Sequence, residues 1–167
     1  MVIQIDSRER QSNITKYFDE IGQKYVISKM ISGDYQDVSS IDTLIDLKQS
    51  HGDGIAEICM NLTRTTNHER LKKEVQRAFD INCKRFIFLI VHPTIKSIDE
   101  VHLWVNKRGQ VKPYVLEKIM KTFRDRYNVE FIFTTKANAP KKIIELLGAR
   151  EWKKKKDGAM GAVKQKY

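Results

Sequence analysis

Ile31-Ser32-Gly33-Asp34-Tyr35, a polar interval, and then Thr43-Leu44-Ile45-Asp46-Leu47-Lys48-Gln49-Ser50 form the stretch around which the rest of the chain is read. A β-strand has a side-chain period of two. A strand through Thr43–Lys48 therefore points Thr43, Ile45 and Leu47 one way and Leu44, Asp46 and Lys48 the other. Asp46 and Lys48 become neighbours near the strand end, anchored by Ile45 and Leu47 in a core. A Gly33-Asp34-Tyr35 turn between two strands that pair with each other is expected to bring Asp34 to the same spot. Two carboxylates and an amine at one point suit a divalent metal beside a phosphate. The plainer alternative is a turn cap at Asp34 and a surface salt bridge between Asp46 and Lys48.

The N-terminus shifts the balance toward the first reading. Val2-Ile3-Gln4-Ile5-Asp6 reads as a strand ending at Asp6, and Ser7-Arg8-Glu9 continues it as an acid-bearing loop. Asp6-x-Arg8-Glu9, Gly33-Asp34-Tyr35 and Asp46-x-Lys48, in that order, resemble the nuclease domain of the XPF-type (excision-repair) structure-specific DNA endonucleases. That group is a branch of the restriction-endonuclease-like superfamily, whose motifs run D-x-R-E, G-D-Y and E-R-K. The first two match residue for residue. In the third, Asp46 stands for Glu and Leu47 for Arg, while Lys48 is kept. Arg70-Leu71-x-x-Glu74 resembles the family's R-L-x-x-Q, with Glu for Gln. Arg70 and Glu74 share a helix face, either as an exposed ion pair or beside the active site.

The resemblance implies an α/β fold, a restriction-endonuclease-like mixed β-sheet flanked by helices. It also implies a Mg²⁺- (or Mn²⁺-) dependent endodeoxyribonuclease. Asp34 and Asp46 are the expected metal ligands, Asp6 and Glu9 complete the shell or orient its waters, and Lys48 steadies the water or the phosphate charge. Arg8 and Arg70 are expected DNA contacts. Asp46 is one methylene shorter than the family's Glu, and Leu47 lacks the family's cation, so that contact must come from elsewhere.

Composition agrees with a nucleic-acid partner. The chain of 167 residues carries 31 Lys/Arg against 21 Asp/Glu, a net +10. Residues 150–167 hold seven Lys/Arg against Glu151 and Asp157, a net +5 and half the excess. A nuclease domain over 1–149 and a flexible basic tail over 150–167 are expected, with Lys153, Lys154, Lys155 and Lys156 on phosphates. Cys59 and Cys83 show no metal-ligand spacing and read as buried thiols. With no signal peptide and no run of 18 apolar residues, a cytoplasmic protein without membrane contact is expected.

The remaining elements follow from periodicity. Helices are expected from Ser12, over Ile55–Leu62, over Asn67–Ile81, after Pro113 and from Asn138. Phe86–Val91 is a continuous apolar run, the mark of a strand covered on both faces, and Val129–Thr134 is similar. The N-terminal strands are expected to be antiparallel and the last two parallel. Val101–Lys112 reads either as a hairpin with a basic tip or as a segment whose Trp104 packs on the sheet, and it could equally face a partner. The tail is too short for the helicase region or tandem helix-hairpin-helix module of larger relatives. Preference for branched or partly single-stranded DNA would then come from a homodimer, a partner subunit or the tail. Stand-alone nucleases of this kind occur in bacteria and phages. The rival reading is a non-catalytic DNA-binding or assembly subunit, since this family pairs active with inactive domains; inactive members lose several of these acids and the Lys together.

Overall fold

The run Phe86–Val91 lies in the middle of the sheet, and its period of two divides the core into two. The computed structural model describes residues 1–9, 12–107, 109 and 111–148. Strand β5 (Arg85–Val91) directs Phe86, Phe88 and Ile90 into one apolar cluster and Ile87, Leu89 and Val91 into the other. The first cluster takes helices α2 (Gly54–Thr63), α3 (Thr65–Asp80) and α4 (Pro113–Tyr127). The second takes α1 (Ser12–Ile21) and a helix α5 over residues 139–148. Helices on both faces of a mostly parallel sheet bury both side-chain rows, which explains the absence of polar alternation in β5.

The sheet has six strands in the order β2-β1-β3-β4-β5-β6. These are β1 (Ile3–Asp6), β2 (Tyr25–Ser28), β3 (Tyr35–Asp37), β4 (Ser40–Lys48), β5 and β6 (Val129–Thr134). β1 pairs with β2 in parallel, as do β4 with β5 and β5 with β6; β3 runs antiparallel to both β1 and β4. One reversed strand in an otherwise parallel sheet has a direct consequence. The C-terminal ends of β1 and β4 and the N-terminal end of β3 meet at the same edge of the sheet. These ends carry Asp6, Asp46 with Lys48, and Asp34.

The mixed sheet agrees with the sequence reading, but three details differ. β2 and β3, on either side of Gly33-Asp34-Tyr35, do not pair with each other because β1 lies between them. Asp34 reaches the site through its own backbone, donating its amide to the Ile45 carbonyl (2.8 Å) and accepting from the Asp6 amide (2.8 Å). The described residues of 101–112 contain no strand, so the hairpin alternative falls. A 3₁₀ turn over Ile98–Leu103 delivers Trp104 into the core, where its Nε1 donates to Asp53 Oδ2 at 3.0 Å. α3 also begins earlier than periodicity suggests, at Thr65. Cys59 and Cys83 are free and buried. Among the described residues no helix is long and apolar enough to cross a membrane. The expected tail lies outside the described residues.

Two contacts set where β4 ends. Asp53 caps α2, its Oδ1 accepting from the amides of Ile55 (3.1 Å) and Ala56 (3.0 Å). At Gly54, a Cβ would collide with the Lys48 carbonyl and lie 2.8 Å from the Val91 amide. The helix thus starts directly against the strand that carries Lys48. Helix propensity alone would make Gly54→Ala stabilising by up to about 1 kcal/mol. Collision with backbone cannot be relieved by a rotamer change, and overpacking costs about 1–3 kcal/mol. Gly54→Ala should therefore lower the denaturant midpoint, with a net loss of about 2 kcal/mol. A midpoint at or above that of the parent chain would contradict the close approach.

Candidate active site

The period of β4 sends Leu47 into the core cluster of Ile5 and Tyr35, while Asp46 and Lys48 project on the opposite face, beneath α2 and α3. Lys48 borders a cleft of about 420 Å³ together with Asp34, Glu9, Glu74 and Arg70, and Asp46 lies buried behind it. Asp46 is 3 % exposed and Lys48 8 %, so this is no surface salt bridge. Lys48 Nζ lies 2.9 Å from Asp46 Oδ1, 3.9 Å from Glu57 Oε1 and 5.9 Å from the centre of the Phe88 ring. Burial alone would depress the Lys48 amine, but Asp46, Glu57 and Asp34 hold it above its ordinary value. Asp46 Oδ2 is buried without a hydrogen-bond partner. A buried, unpaired carboxylate oxygen is costly unless a cation or donor approaches it.

Asp34 is held where β3 begins. Its Oδ2 accepts from the Leu47 amide at 2.8 Å, standing in for the main-chain acceptor that β3 no longer supplies. Burial, then the charges of Asp46 and Glu9, push its carboxyl well above the usual carboxylate range, against the opposing pull of Lys48. The turn before it depends on Gly33, whose φ of +69° lies in the left-handed region. A Cβ there would also sit 3.2 Å from the Ile45 carbonyl.

Asp6 lies at the same sheet edge with its oxygens already committed. Oδ1 accepts from the Arg8 amide (2.8 Å) and Nε (2.7 Å); Oδ2 accepts from Arg8 Nη2 (3.0 Å) and the Met30 amide (2.7 Å). Burial would raise its pKa, but the bonds from Arg8 and Met30 hold it below the ordinary value. Asp6 therefore ties the end of β1 to the segment that leads into the Gly33 turn. Arg8, with its side chain 68 % exposed, is fastened to Asp6 as a fork. Glu9 is half-buried at the cleft rim.

Glu74 is a site residue that the sequence only hinted at, through its spacing from Arg70. It does not pair with Arg70. Its Oε1 accepts from the Gly33 amide at 3.2 Å and its carbonyl from Ser32 Oγ at 2.8 Å, so α3 is stapled to the turn before Asp34. Burial and then Asp46 raise its carboxyl pKa. Glu57, Lys73 and Arg77 border the same cleft. Their signal in the sequence was helical spacing, on α2 and on the cleft face of α3. Lys153, Lys154, Lys155 and Lys156 lie outside the described residues.

Among the described residues no group of three or more His, Cys, Asp or Glu side chains is gathered closely enough to hold a metal alone. Mg²⁺ does not require one, since it keeps several waters and binds through one or two carboxylates. The unpartnered Asp46 oxygen and the repulsion it exerts on Asp34 fit such an ion. A second hollow of about 440 Å³, near His92, Lys96 and Thr135, has Glu145 as its only acid and no paired carboxylates.

No curated protein matches the sequence. Among solved structures, XPF from Aeropyrum pernix superposes with a TM-score of 0.63 at 17 % identity, covering 91 % of this chain and 70 % of that one. XPF from the same organism in complex with DNA superposes at 0.64 with 16 % identity, covering 91 % and 65 %. This chain thus spans about two thirds of the length of those relatives, and the likeness establishes the restriction-endonuclease-like fold. The ERCC4 domain model matches residues 5–147, from the end of β1 through α5. The chain belongs to the ERCC4 domain family, a family of structure-specific DNA nucleases.

Proposed function

We propose that this chain is a divalent-metal-dependent DNA endonuclease that hydrolyses phosphodiester bonds in branched or partly single-stranded DNA. The observation that carries the reading is the buried Asp46 oxygen without a partner, beside an Asp34 whose charge the fold disfavours. A carboxyl whose charge burial and its neighbours disfavour, beside a buried carboxylate oxygen without a partner, is the arrangement that a site awaiting a cation would show. One relative with this fold was captured with DNA, which supports the same substrate class.

Asp34 and Asp46 would hold Mg²⁺ or Mn²⁺. Such an ion supplies positive charge against the phosphoryl oxygens and acidifies water. Lys48 stays protonated, since its acids raise its pKa; it therefore acts as a fixed donor toward the phosphate rather than as a base. Glu9, at the rim, is placed to orient water from the solvent side. Asp6 positions rather than ligates, because Arg8 and Met30 already occupy both its oxygens. Arg8, thus oriented, faces the incoming strand, with Arg70 opposite. Lys153–Lys156 add phosphate contacts, and the exposed Leu103, Val105 and Tyr114 offer a surface for a second copy or a partner subunit.

Asp34→Asn tests the centre of this reading. The cleavage rate should fall by more than about 100-fold, the upper end for disturbing only a ligand's support. In EDTA the stability effect has the opposite sign. Asp34 has a raised pKa in the folded state, so its charge weakens the fold at neutral pH and ceases to do so below its ordinary value of 3.8. The variant should therefore melt higher at neutral pH and show no such gain in acid. Mg²⁺ should raise the melting temperature of the parent chain and not of the variant. Retained cleavage, or equal stabilisation of both by Mg²⁺, would move the metal to other residues.

The tail gives a second test. Deleting residues 150–167 should flatten the dependence of log K on log salt by a few units, about 0.9 per phosphate neutralised on duplex DNA. Affinity should fall alike on every sequence. A truncated chain that keeps the full slope would remove the tail from the DNA contacts.

A further inference from the structure

The wall of the cleft opposite the carboxylates is α3, and its cleft-facing row is cationic. Arg70, Lys73 and Arg77 are spaced three and four residues apart, which puts them on one face of the helix. All three are exposed and border the cleft. Glu74 lies within the same row, yet its carboxylate turns inward to the Gly33 amide and leaves the outer face to the cations. Arg70 and Lys73 have no ion-pair partner among the described residues. Lys72, on the neighbouring flank, is by contrast paired with Glu69 at 3.1 Å. Arg77 is steadied by a 3.4 Å bond from its Nε to the Ile31 carbonyl, which keeps it at the end of the row nearest the Gly33 turn.

Resting on the DNA reading above, we infer that α3 is a phosphate rail, on which Arg70, Lys73 and Arg77 take separate phosphates along one short run of a strand and lay it past Asp34 and Asp46. Seven residues of helix span about 10 Å. At about 3.4 Å of axial rise per phosphate on a duplex strand, that length covers about three intervals, a short run within which three cations can each meet a separate phosphate. None of the described residues bordering the cleft is aromatic, so among them the wall offers no platform for stacked bases, and contact is with the backbone. Leu47 faces the other core, so a side chain at that position does not reach the cleft, and the cations that border it from this side are those of α3.

The test uses the full chain in EDTA, where binding is measured without cleavage, on a fluorescent DNA duplex of mixed sequence. Lys73→Gln/Arg77→Gln should lower the slope of log K against log salt by about 1.8, from 0.9 for each lost contact. The loss should be the same on an unrelated sequence. Lys118→Gln/Lys141→Gln removes the same charge from exposed positions away from the cleft and should leave the slope unchanged. If the first double variant melts early, Lys73→Gln alone serves, with an expected drop of about 0.9. A parental slope in the rail variant, or an equal drop in the charge-matched control, overturns the rail. A parent chain that binds DNA but never cuts it would sink the nuclease reading and leave the rail standing. A parent chain that does not bind would sink both.

Discussion

One hydrogen bond organises the site: the Leu47 amide donates to a side chain, Asp34 Oδ2, at 2.8 Å. β3 is only three residues long and begins at Tyr35, opposite Ile45, so it stops short of the level of Leu47. A buried amide at that level must still be satisfied. Asp34 does so, and in doing so its carboxylate is fixed on the level of Asp46 and Lys48. The same residue that closes the ladder is therefore the one proposed above as a metal ligand. Its partner oxygen, its backbone links to Ile45 and Asp6, and the left-handed Gly33 before it all serve this one placement.

The placement is electrostatically unfavourable, and the rest of the fold shows how it is sustained. The half-buried Asp34 and Glu74 and the buried Asp46 crowd around Lys48, a buried cation among them. Both Asp34 and Glu74 have raised pKa values, with burial the first cause in each case. Against this stand a sheet whose central strand is apolar on both faces and helices that bury it from both sides. A folded state can tolerate a few kcal/mol of local repulsion only when burial elsewhere exceeds it. Asp6 contributes to that side of the balance: its carboxylate accepts four bonds and has a lowered pKa, so it stabilises the fold at neutral pH and stops doing so in acid. Acids of similar appearance in the sequence thus do opposite work.

Much of this was legible in the chain. The period of two in Thr43–Lys48 correctly separated Ile45 and Leu47 from Asp46 and Lys48, and the unbroken run Phe86–Val91 correctly indicated an interior strand. Both readings rest on local geometry that tertiary context reinforces. The partnering of β2 with β1 rather than β3 was not legible, since strand order depends on which edges remain free after the crossovers pack. Nor could the sequence separate Asp6 from Asp34. Both precede or follow a strand, and only the neighbouring donors of Arg8 and Met30 distinguish a committed carboxylate from an available one. Of the two readings of Trp104, at a basic-tipped hairpin or packed against the sheet, the second holds: it lies in the core, and its indole donates to the acid that caps α2.

The departures from the family motifs form a connected set once the face of each side chain is known. At position 47 the strand's alternation points any residue into the core of Ile5, Tyr35 and Leu89, so an apolar side chain suits this chain's packing. Asp46, shorter than Glu, can keep its 2.9 Å contact with Lys48 while its second oxygen stays open. Glu74, in place of Gln, brings a further negative charge toward the same point, and its bond to Gly33 turns that charge inward, off the outer face of α3. The acids are thereby concentrated at the strand ends and the unpaired cations on the helix opposite. On the reading proposed above, a cleft polarised in this way would take a phosphodiester backbone on one wall and a cation on the other, across a gap bounded by the Gly54 contact and the Glu74 staple.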